Sequence, residues 1–181
     1  MRLVVLDRDG VINYDSDAYI KSPEEWIPIP GSLDAIARLH RAGFTVVVAT
    51  NQAGVGRGLF DLATLEAIHH KMRTAVEQAG GKLDSIFVCP HAPWDNCDCR
   101  KPKPGLLKQI AERFHISLQG VPVIGDSLRD IEAAESVGAR PLLVRSGYGE
   151  KTLANLDVPR RVEVFADLAA AAAYLLRESR P

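Results

Sequence analysis

The chain alternates short apolar runs with longer segments in which apolar residues recur every three or four positions. Five almost wholly apolar runs predict strands: Arg2–Leu6, Phe44–Ala49, Ser85–Val88, Pro122–Ile124 and Pro141–Val144. Five periodic segments predict helices: Gly31–Ala42, Leu62–Ala79, Gly105–Phe114, Leu128–Val137 and Asp167–Glu178. Strands without alternation are typical of a parallel sheet that helices cover on both faces. The pattern therefore predicts an α/β fold, a doubly wound parallel sheet.

Polar residues with shared chemistry follow several of these strands. Asp7 and Asp9 follow the first strand, Thr50 follows the second, and Asp126 follows the fourth, while Lys101 comes after a loop beyond the third. An isolated Asp-x-Asp is more typical of a solvated turn. In a doubly wound sheet, however, ligands bind beyond the carboxyl ends of the strands. Acids, a hydroxyl and an ammonium at that edge indicate phosphoryl transfer, with Mg²⁺ on the carboxylates.

Composition narrows the class of protein. The 181 residues are 46% hydrophobic and 25% charged with a net charge of -1, which is ordinary for one globular domain spanning 1–181. This charge favours neither nucleic acid nor a membrane surface as a partner, and no apolar run reaches the length of a membrane span. We expect a cytoplasmic monomer acting on a small molecule.

All three cysteines lie in one short segment together with a histidine. Cys89 and His91 are separated by five residues from Cys97 and Cys99. Thiolates and an imidazole at close spacing suit a tetrahedral Zn²⁺ site, and four protein ligands make such a site structural. Free thiols on a loop are the alternative. A zinc-binding loop over residues 89–99 is favoured over free thiols, because the segment has two prolines and no apolar periodicity that would order it otherwise.

The order of these residues resembles that of the haloacid dehalogenase superfamily of phosphatases. Its four motifs correspond to Asp7-Arg8-Asp9-Gly10-Val11, Thr50, Lys101 and Gly125-Asp126-Ser127-Leu128-Arg129-Asp130. The resemblance implies a haloacid dehalogenase-like fold, with Asp7 as nucleophile and Asp9 as general acid and base. It also implies that Thr50 and Lys101 bind the phosphoryl group, and that Asp7, the Asp9 carbonyl and Asp126 hold Mg²⁺. Asp130 would orient Lys101 or a metal-bound water.

A subgroup of that superfamily, the heptose-bisphosphate and histidinol-phosphate phosphatases, is the nearest resemblance. Its members share the zinc loop, and they share phrases that read here as Cys99-Arg100-Lys101-Pro102 and Thr50-Asn51-Gln52-Ala53-Gly54. The implied activity is removal of the C7 phosphate from a heptose 1,7-bisphosphate for lipopolysaccharide core synthesis, with histidinol phosphate as the alternative substrate. The implied substrate contacts are Asp15, Ser16, Asp17, Ala18, Tyr19, Asn51, Gln52, Ala53, Arg57 and Arg100.

Specificity is expected to come from loops, because the intervals between motifs leave no room for a separate cap domain. The three loops are Asn13–Pro28, Gly54–Gly58 and His91–Lys101. The glycine-rich loop is better read as a substrate-side loop than as a phosphate cradle, since it lacks the Lys-Ser/Thr of a P-loop. The histidines outside the zinc loop are read as surface or packing residues without a paired partner: His40, His69, His70 and His115.

A binding module on an inactive phosphatase scaffold is the rival from another class. That hypothesis requires a missing catalytic group, and none of the four motifs lacks one.

Overall fold

Six parallel strands form one sheet in the computed structural model, which describes residues 1–156 and 162–179. The strands are β1 Arg2–Leu6, β2 Phe44–Asn51, β3 Ser85–Cys89, β4 Pro122–Gly125, β5 Arg140–Val144 and β6 Glu163–Phe165. Their order across the sheet is β3-β2-β1-β4-β5-β6, and every neighbouring pair is parallel. The predicted doubly wound parallel sheet is thus confirmed.

Seven helices flank this sheet in the described residues. They are α1 Ser32–Arg41, α2 Ala53–Gly56, α3 Leu62–Gln78, α4 Gly105–Phe114, α5 Leu128–Ser136, α6 Gly149–Ala154 and α7 Leu168–Glu178. The five predicted helices correspond to α1, α3, α4, α5 and α7, with ends that differ by at most one residue. α1 stops where predicted because Gly43, at φ +83°, takes the left-handed conformation that follows a helix end.

The elements that the sequence pattern missed are all short. α2 has four residues, α6 has six and β6 has three, and a 3-10 turn at Pro23–Glu25 lies inside the predicted loop Asn13–Pro28. Segments of this length complete less than two helical turns or two strand alternations, so their periodicity carries no signal. β6 gains its order from pairing with β5, where Val144 lies opposite Phe165.

Each face of the sheet has its own hydrophobic core. Val4 and Leu6 of β1 belong to one core with α1, α3 and α7, whereas Leu3 and Val5 belong to the other with α4 and α5. Successive strand residues point to opposite faces, so one strand contributes to both cores. Burial on both faces explains why the strands lack a polar alternation.

The chain reverses its winding between β1 and β4, which are adjacent in the sheet although β2 and β3 lie between them in the sequence. Beyond the carboxyl ends of these two strands lie Asp7 and Asp126, which the topology therefore brings together. No cap domain is seen over this edge in 1–156 or 162–179. Within the same ranges, none of the helices has both the length and the hydropathy to cross a bilayer.

Candidate active site

A cavity of about 250 Å³ opens at the carboxyl ends of β1, β2 and β4. Eleven of the site residues predicted from sequence line it: Asp7, Asp9, Asp15, Ser16, Asp17, Tyr19, Asn51, Ala53, Arg100, Lys101 and Asp126. Four residues line it that were not predicted as substrate or metal contacts: Ser127, Arg129, Asp130 and Tyr148. Four predicted contacts are absent from the lining: Ala18, Thr50, Gln52 and Arg57.

Lys101 is a buried cation at the centre of this site. Its Nζ donates to Asp130 Oδ1 at 2.6 Å and to the Ala49 carbonyl at 2.8 Å, and it lies 3.1 Å from Asp7 Oδ1. Burial alone would lower the pKa of this ammonium, but Asp130 and Asp7 raise it above its usual value. Lys101 therefore stays charged and fixes the position of Asp7.

Asp7, Asp126 and Asp130 form an acidic cluster whose carboxylate oxygens lie within 4.8 Å of one another. Burial, followed by the charge of Asp130, raises the pKa of Asp7 to about 7. Burial, followed by the charge of Asp7, raises the pKa of Asp126 to about 8. Burial also opposes ionisation of Asp130, but Lys101 outweighs it and lowers the pKa of Asp130. Oxygen donors that repel one another in this way fit a hard divalent cation such as Mg²⁺.

The Asp126 carboxylate is held by close packing as well as by a hydrogen bond. The backbone N–H of Tyr148 donates to Asp126 Oδ2 at 2.8 Å. Gly10 has a φ of +80°, and a Cβ at this position would overlap the same carboxylate. Glycine after the second aspartate is thus required both by backbone conformation and by the approach of Asp126.

Asp9 accepts hydrogen bonds from three side chains. Arg8 Nε and Asn13 Nδ2 each donate to Oδ1 at 2.9 Å, and Gln52 Nε2 donates to Oδ2 at 3.0 Å. Gln52 Nε2 also lies 2.8 Å from Thr50 Oγ1, so Gln52 lies behind the cavity and connects two motifs. Sequence reasoning missed Arg8 and Asn13 as partners of Asp9. A residue between the two aspartates and a residue four positions after Asp9 belong to no periodic pattern.

The segment 15–19 lines the cavity through every residue except the exposed Ala18. Burial, followed by the charge of Asp9, raises the pKa of Asp15 to about 6. The hydroxyl of Tyr148 donates to Asp17 Oδ1, so this segment is tied to the start of α6. The missed residue Tyr148 thereby contacts both Asp126 and the substrate-side loop.

Arg57 lies between two aromatic rings rather than in the cavity lining. Its guanidinium carbon is 5.7 Å from the centre of the Tyr19 ring and 4.8 Å from that of Trp94. Cation–π contacts of this kind connect the three predicted specificity loops. Gly56 belongs to the same contact, since a Cβ there would meet the backbone of Pro90, His91 and Ala92. The glycine-rich segment, part of which forms α2, therefore packs on the loop that carries the cysteines.

Arg100 and Arg129 bring positive charge to the cavity. Burial, followed by the nearby charge of Arg129, lowers the pKa of Arg100. Arg100 Nη1 is buried and has no hydrogen-bond partner among the described residues. An anion with free oxygens would satisfy this donor and relieve the repulsion between the two guanidinium groups.

Cys89, His91, Cys97 and Cys99 also converge. One ligand atom from each lies within 4.8 Å of the other three. Burial opposes ionisation of Cys97, but the backbone N–H of Arg100 and the neighbouring thiols lower its pKa to about 6. Three thiolates and one imidazole fit the tetrahedral donor set of Zn²⁺.

The interpretation of His69 as a residue without a paired partner is wrong. His69 is 2% exposed, and its Nε2 lies 3.1 Å from Arg8 Nη1. Burial, followed by the charge of Arg8, lowers the pKa of His69 to about 3. The sequence places these two residues 61 positions apart, so no local pattern could reveal the pair.

Comparisons with known proteins agree with this geometry. A family model described as HAD-hydrolase-like matches residues 98–171, and one described as polynucleotide kinase 3 phosphatase matches residues 3–128. The D-glycero-beta-D-manno-heptose-1,7-bisphosphate 7-phosphatases of Bordetella bronchiseptica and Pseudomonas putida are each 58% identical to this chain. The alignments cover 99% and 97% of this chain, respectively, and 100% of each relative.

A solved structure gives the same result. The crystal structure of D,D-heptose 1,7-bisphosphate phosphatase from B. bronchiseptica, complexed with magnesium and phosphate, has a TM-score of 0.97 to this chain. Identity is 58%, and 99% of this chain and 100% of that chain are covered. The enzyme of the same name from Burkholderia thailandensis has a TM-score of 0.78 at 49% identity, covering 99% and 100%.

The acidic cluster predicts opposite effects for two neighbouring substitutions. A carboxyl whose pKa rises on folding favours the folded state below about pH 4, and this contribution is lost as the pH rises to about 8. Asp126→Asn should therefore raise the Tm in magnesium-free buffer at pH 9 by about 2–4 °C, and by less at pH 5.

Asp130→Asn is the matched control. The lowered pKa of Asp130 contributes stability above about pH 4, so removing this partner of Lys101 should lower the Tm at pH 9. Thermal melts at both pH values measure this. A loss of Tm in both variants at pH 9 would contradict the assigned repulsion.

Proposed function

The chain belongs to the D-glycero-beta-D-manno-heptose-1,7-bisphosphate 7-phosphatase family of the haloacid dehalogenase superfamily, and we therefore propose that it removes the C7 phosphate of that sugar bisphosphate. The products would be heptose 1-phosphate and inorganic phosphate. The observation that carries this proposal is 58% identity along essentially the whole chain, combined with a cavity that holds Asp7, Asp9 and Lys101 together.

Asp7 is proposed as the nucleophile. Arg8 N–H donates to its Oδ1 at 2.8 Å, and Lys101 Nζ lies 3.1 Å from the same atom, so we assign the attack to Oδ2. Oδ2 attacks phosphorus, the bond between phosphorus and the C7 oxygen breaks, and the departing oxygen takes a proton from the Asp9 carboxyl. Asp7 then carries the phosphoryl group as an acyl phosphate.

Hydrolysis of the acyl phosphate restores the enzyme. Asp9, now a carboxylate, takes a proton from a water molecule as the water oxygen attacks phosphorus. The bond between phosphorus and Asp7 breaks, and phosphate leaves with the oxygen and the remaining proton of that water molecule. Lys101 lies against the nucleophile, and together with the buried hydroxyl of Thr50 at the end of β2 it is proposed to offset charge on the phosphoryl oxygens.

Mg²⁺ is the proposed cofactor, since the carboxylates of Asp7 and Asp126 and the carbonyl of Asp9 offer the oxygen donors that it prefers. When bound, the ion supplies positive charge to the phosphoryl oxygens. The three buried carboxylates outnumber the ammonium of Lys101 that contacts them, so a divalent cation there would offset the negative charge that an anionic substrate meets.

The second phosphate of the substrate is proposed to bind Arg100 and Arg129. Arg100 has an unsatisfied buried donor, and both guanidinium groups line the cavity that holds Asp7. A phosphate at C1 can contact these side chains while the less hindered C7 phosphate meets the nucleophile.

Reduced thiols in the loop 89–99 are compatible with a cytoplasmic location, where the product would supply activated heptose for lipopolysaccharide.

Asp7→Asn should abolish turnover, with kcat reduced at least about a thousandfold, because the amide lacks the nucleophilic oxygen. Phosphate release from the heptose bisphosphate measures this, with Asp34→Asn as a control on an exposed helix position. Retention of more than a few per cent of activity in a folded sample would exclude Asp7 as the nucleophile.

Regiochemistry separates the proposed activity from other phosphatase activities. Phosphorus NMR of the product should show loss of the primary phosphate and survival of the anomeric one, and histidinol phosphate should be a poorer substrate. Arg129→Gln should raise KM for the bisphosphate about tenfold and change KM for the 7-monophosphate much less, because only the former has the remote phosphate. A surviving C7 phosphate would overturn the proposal.

A structural zinc ion is proposed at the Cys/His cluster, because all four ligand atoms already converge. His91→Asn should reduce bound zinc from one per chain to well below half and lower the Tm, since metal binding is coupled to loop order. His115→Asn, at an exposed histidine outside the cluster, is the control. Elemental analysis that finds no zinc in the unaltered protein, purified without chelator, would refute the assignment.

A further inference from the structure

Arg8 is a fully buried cation next to the proposed general acid. Its side chain is 0% exposed, Nε donates to Asp9 Oδ1 at 2.9 Å, and Nη2 lies 2.8 Å from the same oxygen. Its remaining nitrogen, Nη1, lies 3.1 Å from Nε2 of His69 on α3. Arg8 thus connects a catalytic carboxylate to a helix outside the cavity.

The contact fixes the protonation of His69. An arginine side chain only donates hydrogen bonds, so His69 Nε2 must present its lone pair and the ring proton must be on Nδ1. Burial and the adjacent guanidinium favour this neutral ring. A neutral acceptor satisfies Nη1 without adding a negative charge that would compete with Asp9 for Arg8.

The geometry points to His69 as a positioning residue for general acid–base catalysis, acting through Arg8 on Asp9; this inference rests on the proposed role of Asp9. With Nη1 held by His69, the planar guanidinium directs Nε and Nη2 towards Asp9 Oδ1. Without that acceptor the guanidinium is free to rotate in search of another partner, and Asp9 loses one of its three side-chain donors.

The role of Asp9 provides a specific measurement. An alkyl phosphate needs a proton on its leaving oxygen, whereas 4-nitrophenyl phosphate has a leaving group that departs without one. Displacement of Asp9 should therefore slow enzyme phosphorylation by the sugar phosphate and spare phosphorylation by the aryl phosphate. The ratio of the two single-turnover rates is independent of the fraction of folded enzyme, because both rates come from one sample.

His69→Met replaces the ring by an apolar side chain of similar size that suits a buried position. We expect the sugar-to-aryl ratio to fall about tenfold, with KM changed less than about twofold, since misplacement of a catalytic group acts on the chemical step. His69→Gln supplies an amide oxygen as acceptor and should restore most of the ratio. His70→Met, at the exposed neighbouring position of α3, should leave it unchanged.

A double-mutant cycle tests whether the effect passes through Arg8. Arg8→Met should lower the same ratio at least as far as His69→Met, and the double variant should match Arg8→Met alone. Multiplicative losses, an unchanged ratio in His69→Met, or a His69→Gln variant as impaired as His69→Met would each overturn the inference.

Failure of the proposed substrate would have a different signature. The unaltered enzyme would then hydrolyse 4-nitrophenyl phosphate but not the heptose bisphosphate. The ratio would be measured with whichever alkyl phosphate the enzyme accepts, and the comparison between His69→Met and His69→Gln would keep its meaning.

Discussion

The buried ammonium of Lys101 is the interaction on which the site depends. It satisfies Asp130 at 2.6 Å and lies 3.1 Å from Asp7, the proposed nucleophile, so it sets the position of one carboxylate by pairing with another. Three acidic side chains surround this single positive charge, and Asp126 is the one without an ammonium contact in the described residues. The imbalance explains why a divalent cation belongs in the arrangement.

The backbone of Lys101 is held from the end of β2 and follows directly on the loop that carries the cysteines. Asn51 fixes its backbone from the end of β2, since Oδ1 accepts the Lys101 N–H at 3.0 Å and Nδ2 donates to the Lys101 carbonyl at 3.1 Å. Cys99 is only two residues away in sequence. A metal bound by the cysteine loop would therefore stabilise the same backbone that presents the ammonium, which connects a structural site to catalysis without sharing a ligand.

The sequence was sufficient to predict the residues whose positions follow from topology. Asp7 and Asp126 follow strands of a parallel sheet and Thr50 lies near the end of one, so the parallel order brings their backbones to one edge. Side-chain partners could not be predicted in the same way. Tyr148 reaches Asp126 from 22 residues away, and His69 reaches Arg8 from 61, so the contacts depend on how helices pack rather than on local spacing.

The two aspartates of the first motif obtain different surroundings from opposite sides of the sheet. Asp7 meets Lys101 and the acidic cluster, which come from the side of α4 and α5, whereas Asp9 meets Arg8, which reaches back to His69 on α3. Each carboxylate thus has its own cation, and only Asp7 shares its cation with further acids. Two chemically identical groups two residues apart can then take separate roles, one as nucleophile and one as acid and base, because their environments differ.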